Sequence, residues 1–146
     1  MDTGRERWEG DDGVRNVYTG IYWMLTKEEG TGAWIRNVSP HIHFHHAGGV
    51  IRYHLVHRET KEYRTALLGG PLHPGAEPQL VVDEQWYKSS ELVEGDWALI
   101  GEGVAPGFEA REVEFPTAEQ LGPEGVARAG HLLRAPDKSW ADHYEK

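Results

Sequence analysis

The chain has no cysteine among its 146 residues. That excludes disulfides, a thiolate nucleophile and any cysteine-ligated zinc. Positive charge is scarce as well: 15 Lys and Arg stand against 24 Asp and Glu, a net charge of −9. A surplus of that sign repels phosphate backbones and anionic bilayers, which argues against nucleic acid and membrane surfaces as partners. No apolar run approaches the ~20 residues needed to span a bilayer, and no signal-peptide core opens the sequence. A cytoplasmic protein is the expectation. There is no internal repeat, and the length suits one domain.

Histidine, by contrast, is concentrated. Six of the nine histidines fall within residues 34–57, WIRNVSPHIHFHHAGGVIRYHLVH. Polar and apolar residues alternate there, the pattern of a β-strand whose successive side chains leave on opposite faces. Two alternating runs joined by Gly48-Gly49 predict a hairpin with a two-residue turn. In that register His45 faces Arg52 and His43 faces His54. One face then carries His41, His43, His45, Arg52 and His54. The other carries Ile42, Phe44, Ile51, Tyr53 and Leu55.

The rest of the chain reads as short strands with Gly/Pro punctuation. Strands are expected at residues 16–25, 33–38, 62–68, 79–82, 85–88, 96–104 and 108–115, with a long loop at 69–78. Residues 117–133 read as one or two short helices, with Thr117 and Glu119-Gln120 as a partial capping signal. Residues 1–15 are expected to form a flexible arm and 136–146 a loose tail; the single domain occupies 16–135. Many short strands and one terminal helix indicate an all-β sandwich or barrel.

Several stretches resemble the cupin superfamily, in the branch known as a domain of unknown function (cupin type five). They are Thr19-Gly20-Ile21-Tyr22, Leu68-Gly69, Gly75 with Pro78-Gln79, and the run from Val104 to Glu109, VAPGFE. The resemblance spans roughly residues 17–133. It implies a double-stranded β-helix (a jelly-roll cupin barrel) with a short C-terminal helix, a cavity between the sheets, and a homodimer. It says little about activity, because the fold hosts many chemistries.

The departures from the family pattern point to the site. The glutamate of the family's first metal motif corresponds to His41, and its two histidines fall near Ile35 and Asn37. The histidine of the second motif falls near Lys88, where the branch usually has glutamine. Cavity-facing aromatics of the branch correspond to His43 and His45. Of the Pro-Glu-Gly-Gly stretch before the first strand, Glu9-Gly10 is the only echo. The alignment thus implies a cavity rebuilt from imidazoles, a guanidinium and an ammonium.

Three readings of that cavity follow. In the favoured one no metal or other cofactor is used. His41 and His43 shuttle protons on a small-molecule substrate, and Lys88, its pKa lowered by neighbouring cations, polarises it. His45, Arg52, His54, Trp86, Glu102 and Arg36 bind or surround that substrate, Glu102 as the carboxylate that balances the cations. The function is then a metal-independent isomerase, cyclase or lyase, tailoring a secondary metabolite by analogy. In the second reading His41, His43, His45 and His54 hold a divalent metal in an enzyme, since histidines two apart on one strand face can share an ion. In the third, the histidines do no chemistry and face solvent or bond within the core; a barrel that binds a small ligand without turning it over is a further alternative. The first two rest on one geometric expectation: the odd-numbered side chains from 41 to 45 look into the barrel.

Overall fold

The computed structural model describes residues 5–6 and 15–134. The expected tail, Trp8 and most of the expected arm lie outside the described residues. Two short strands, β1 (Arg5–Glu6) and β2 (Arg15–Asn16), pair with each other. Six more follow: β3 (Thr19–Thr26), β4 (Thr31–Ile35), β5 (His41–His57), β6 (Tyr63–Leu68), β7 (Gln79–Val82) and β8 (Trp86–Val104). All their pairings are antiparallel.

Two long strands, β5 and β8, run against each other along their whole length and form the spine. Near one end β3 flanks β8 and β7 flanks β5. Near the other, β4 flanks β8 and β6 flanks β5. Leu25, Ile51, Tyr53, Leu68, Ala98 and Ile100, drawn from both halves, pack into one core. This is the jelly-roll barrel, a double-stranded β-helix.

The expected hairpin at Gly48-Gly49 does not form. β5 continues straight through the pair, and the turn comes instead between β5 and β6. The glycines serve a bulge. The register against β8 shifts at His45/Ala47, Gly48/Val50 and Val50/Ile51. Gly48 and, across from it, Gly95 take positive φ, 90° and 85°. A Cβ on Gly49 would lie 1.7 Å from the Glu94 carbonyl oxygen, and one on Gly48 2.3 Å from that of Trp97. Only glycine allows so close a passage. A Gly-Gly pair between alternating runs is ambiguous between a turn and a bulge, and here the long partner strand decides.

This overturns the expected pairs. His43 faces Glu102 and Leu80, not His54, and Arg52 faces Glu91, not His45. Ile51, Tyr53 and Leu55 therefore share the interior with His41 and His43, while Arg52 and His54 lie on the opposite face. Two further expectations fail locally. Residues 89–95, left unassigned, belong to β8, and 108–115 is no strand but a 3-10 turn (Ala110–Glu112) with a single bridge between Arg36 and Glu114.

Helix α1 (Ala118–Ala129) opens with a reciprocal capping box: Gln120 N–H donates to Thr117 Oγ1, and Thr117 N–H donates to the Gln120 side chain. It breaks at Gly122, before Pro123. Leu121 and Ala129, with Leu132 beyond the helix, cover Trp34, Val56 and Tyr87. The Trp34 indole N–H donates to the Ala129 carbonyl at 2.8 Å. The helix thus caps the outside of one half of the barrel. The outer surface of the other half carries Tyr22, Met24, Phe44, Val81 and Trp97, all exposed. Among the described residues no helix is long and apolar enough to cross a membrane.

Candidate functional site

Strand alternation delivers the site. His41 and His43 leave β5 on its inner face, opposite Val104 and Glu102 of β8. They are 4% and 0% exposed, whereas Phe44, next along the strand, is 39% exposed on the outside. Lys88, from the far end of β8, reaches the same point. Its Nζ lies 2.8 Å from His41 Nδ1 and 3.0 Å from His43 Nε2. Glu102 closes the group: Oε1 is 3.2 Å from His43 Nδ1, and Oε2 is 3.6 Å from His41 Nδ1 and 3.9 Å from Lys88 Nζ. Tyr53 hydroxyl stands 3.2 Å from His43 Nδ1, and Asn37 Nδ2 3.3 Å from His41 Nδ1.

Charge within the group follows from burial. Desolvation pushes both imidazoles down, His43 to about 4, with the Lys88 charge acting the same way. Desolvation also lowers Lys88, against the opposing pull of Glu102. Burial would raise Glu102, but the Lys88 charge and the hydrogen bond from His43 hold it well below the carboxylate range. The resting state is therefore one carboxylate, one ammonium and two neutral imidazoles, a neutral set that a low-dielectric interior tolerates. The ammonium can only donate. His43 then accepts at Nε2 and carries its hydrogen on Nδ1, facing Glu102, and His41 accepts at Nδ1 and carries its hydrogen on Nε2.

That last atom has no partner. His41 Nε2 and Asn37 Oδ1 are buried polar atoms without a hydrogen bond. Such atoms are rare, because each forfeits the hydration it had in the unfolded chain. Both belong to residues that line a cavity of about 350 Å³, walled also by Thr19, Ile21, Glu102, Phe108 and Glu109. The volume lies within the roughly 300–1,000 Å³ usual for small-molecule pockets.

His41, His43 and Glu102 bring ligand atoms within 4.8 Å of one another, a donor set of the kind that holds a divalent metal. With Lys88 in place it does not fit one. The ammonium already bonds His41 Nδ1 and His43 Nε2, and a dication beside it would meet repulsion on the order of 10 kcal/mol at an effective dielectric of about 20. The larger set with His45 and His54 is not assembled at all.

The remaining sequence-derived residues are placed elsewhere. His45 Nε2 bonds the Gly49 carbonyl at 3.0 Å, beside the bulge. His54 and Arg52 face Glu91 on the outer side of the sheet, at 3.1 and 3.2 Å. Arg36 pairs with the Glu114 carboxylate, which is an ion pair at the edge of β4. Trp86 packs with Leu55 and Val82, the Arg64 guanidinium 3.9 Å above its ring. Sequence reasoning missed Tyr53, assigning it to the outside. Reading Gly48-Gly49 as a bulge, which keeps odd residues inward on both sides, would have found it. Asn37 was visible only as a lost family ligand.

The Cupin superfamily (DUF985) matches residues 2–116, and the chain belongs to that family. No functionally curated protein matches it. Among solved structures it is similar to a protein of Shewanella oneidensis, with 26% identity, TM-score 0.75, and coverage of 94% of this chain and 86% of that one. A protein of Leishmania major follows at 22% identity and TM-score 0.71, covering 90% and 82%. A dTDP sugar isomerase of Desulfovibrio desulfuricans shares the fold at 14% identity and TM-score 0.61, covering 84% and 80%.

Proposed function

We propose that the barrel is a metal-independent proton-transfer site acting on a small organic molecule: an isomerase, cyclase or lyase, with enolisation of a carbonyl compound as its elementary step. The observation that carries this is His41, with one ring nitrogen bonded to Lys88 and the other buried and unpartnered in a cavity-lining residue. A substrate oxygen seated against Nε2 would accept its hydrogen, while Lys88 passes a proton to Nδ1. The carbon-bound proton goes to Glu102, which also lines the cavity. Glu102 is a weak base only while Lys88 is charged. Once the ammonium has given up its proton, the charge that holds the carboxylate down is gone and its basicity rises. Acid and base therefore fire together; Glu102 then returns its proton to the neighbouring carbon while the hydroxyl on that carbon gives one back through His41 to Lys88, which completes an isomerisation.

In this scheme His43 is a positioning residue. It joins Tyr53, Lys88 and Glu102 and does not line the cavity. Arg52, His54, His45, Trp86 and Arg36 drop out of the substrate's reach. A dTDP sugar isomerase with the same fold supports the isomerase reading, although its substrate is not carried over. A homodimer belongs to the proposal: Tyr22, Met24, Phe44, Val81 and Trp97 put five exposed large apolar side chains on one outer face, unusual on a chain so rich in charge. A monomer mass in solution sinks that part. So does the cytoplasmic assignment fall if fractionation recovers the protein elsewhere.

The test is exchange in heavy water over a panel of aldoses, ketoses and their amino derivatives. Deuterium should enter next to the carbonyl, persist with chelator present, and fall about a hundredfold or more in His41→Gln. Exchange that chelator abolishes, or that His41→Gln retains, defeats the reading. No exchange with any compound leaves a binding protein rather than an enzyme.

A further inference from the structure

The walls of the cavity carry a charge pattern that selects its ligand. Two carboxylates line it, Glu102 and Glu109. Among the described residues no Lys or Arg does. Lys88 answers Glu102 from the other side of the imidazoles, and Arg15, next to the lining Asn16, is held by both oxygens of Glu112, by the Gly107 carbonyl and by Ser39. The Glu109 carboxylate has no hydrogen-bond or ion-pair partner among the described residues, its backbone carbonyl accepting from Glu112 N–H. The surplus on the wall is therefore negative.

The orphaned atoms point the same way. Asn37 is 8% exposed and His41 4% exposed. The unpaired Asn37 Oδ1 asks for a donor, as do Glu102 and Glu109; the unpaired His41 Nε2–H asks for one acceptor. A ligand that satisfies all of them brings several N–H or O–H groups and a single carbonyl or hydroxyl oxygen. A phosphate or carboxylate brings only acceptors and a charge of the wrong sign, in a cleft that concentrates the field of its own carboxylates.

From this we propose that the cavity takes a small amine-bearing, hydroxylated molecule, an amino sugar or amino polyol in chemical class, with Glu109 as the residue that recognises the ammonium, and that it rejects phosphorylated and carboxylated analogues. The proposal rests on the reading of the cavity as a proton-transfer site and names the substrate class for it. It separates this chain from the nucleotide-sugar chemistry of its dTDP sugar isomerase neighbour, whose substrate carries a diphosphate.

The experiment measures binding, not turnover. Glucosamine, glucose and glucose 6-phosphate share one ring and differ in charge, and ligand-observed NMR ranks them alongside a fragment set balanced among cations, neutral compounds and anions. The expected order is amine above neutral by about tenfold, a modest charge-assisted gain in a half-open site, with the phosphate below detection. Glu109→Gln, a near-isosteric change at a partly exposed position, should erase the amine advantage and bring glucosamine level with glucose. Glu109→Lys should bring anionic fragments in. The proposal is overturned if anions dominate the hits, if the amine advantage survives in Glu109→Gln, or if no fragment of any class binds. Binding in the expected order without deuterium exchange would remove the catalytic reading and keep the selectivity. Exchange with an anionic compound would do the reverse.

Discussion

Strands β5 and β8 carry two clusters of the same residue types on opposite faces. Inside the barrel stand His41, His43, Lys88 and Glu102. Outside, near the C-terminal end of the fold, stand His54, Arg52, Glu91, Tyr63 and His131. In the outer group Glu91 Oε1 accepts from His54 Nε2 at 3.1 Å and Arg52 at 3.2 Å, Oε2 lies 3.5 Å from His131, and Tyr63 closes the other side of His54 at 2.6 Å. Every nitrogen of His54 is used. In the inner group His41, a residue of the cavity lining, keeps one buried nitrogen unused. The cation also differs: Arg52 is 43% exposed and keeps its hydration, whereas Lys88 is 7% exposed and has lost it. What separates a chemical site from an ion network is thus neither the residue types nor their number. It is one desolvated, titratable cation and one bond left unmade.

The largest expected effect comes from removing that cation. Lys88→Gln leaves Glu102 without its ion partner, and deleting one member of a buried pair costs about 3–5 kcal/mol. It also vacates the point between His41 Nδ1, His43 Nε2 and Glu102. The variant should take up one zinc per chain, recover stability when zinc is added, and lose deuterium exchange. The unsubstituted protein, purified without a histidine tag, should contain none. Equal zinc content in the two proteins, read by elemental analysis, would break the contrast drawn here.

Acid should act next, and chiefly through the inner cluster. His43 titrates near 4 when folded, below its unfolded value of 6.5. As pH falls from 6.5 towards 4, the unfolded chain takes up a proton that the folded one refuses, so stability drops. Glu102, held well below 4.5, extends the loss further down. The His43 share is on the order of 2–3 kcal/mol at the end of that window. In His43→Gln the slope of unfolding free energy against pH between 6.5 and 4 should flatten by about one proton. An unchanged slope would mean that His43 is not held neutral by the cluster.

How much of this was open to a reader of the sequence varies residue by residue. The alternation from His41 to His45 fixed which side chains look inward, because a two-residue period leaves two choices and the family glutamate position at His41 picks one. Glu102 and Lys88 came only through that alignment, since they are 59 to 61 and 45 to 47 residues from the two histidines. The half of β5 beyond the glycines was misread. Nothing local distinguishes a Gly-Gly turn from a Gly-Gly bulge, and the decision belongs to β8, some 40 residues further on, whose carbonyls at Glu94 and Trp97 crowd the pair. That one ambiguity exchanged Tyr53 for Arg52 and His54 in the expected site. The outer cluster was invisible for another reason: His131 enters from a 3-10 turn whose docking depends on tertiary packing.

The smallest expected effect tests whether the outer cluster is structural only. Glu91→Gln keeps an acceptor for His54 Nε2 but removes the charge shared with Arg52 and His131. Two of its three partners are substantially exposed, so their ion pairs are screened and weak. The buried bond to His54 survives as a neutral one, which costs about half its strength. The expected loss is about 1 kcal/mol in denaturant unfolding. Zinc content, fragment binding and deuterium exchange should match the unsubstituted protein, because Glu91 faces the helix side of the sheet and the cavity lies on the other. Glu102→Gln, the same chemical change on the same strand, should abolish exchange, since an amide can neither accept the carbon-bound proton nor balance Lys88. If Glu91→Gln impairs exchange as severely as Glu102→Gln does, the two faces are coupled, and the division between a reactive interior and an inert exterior is wrong.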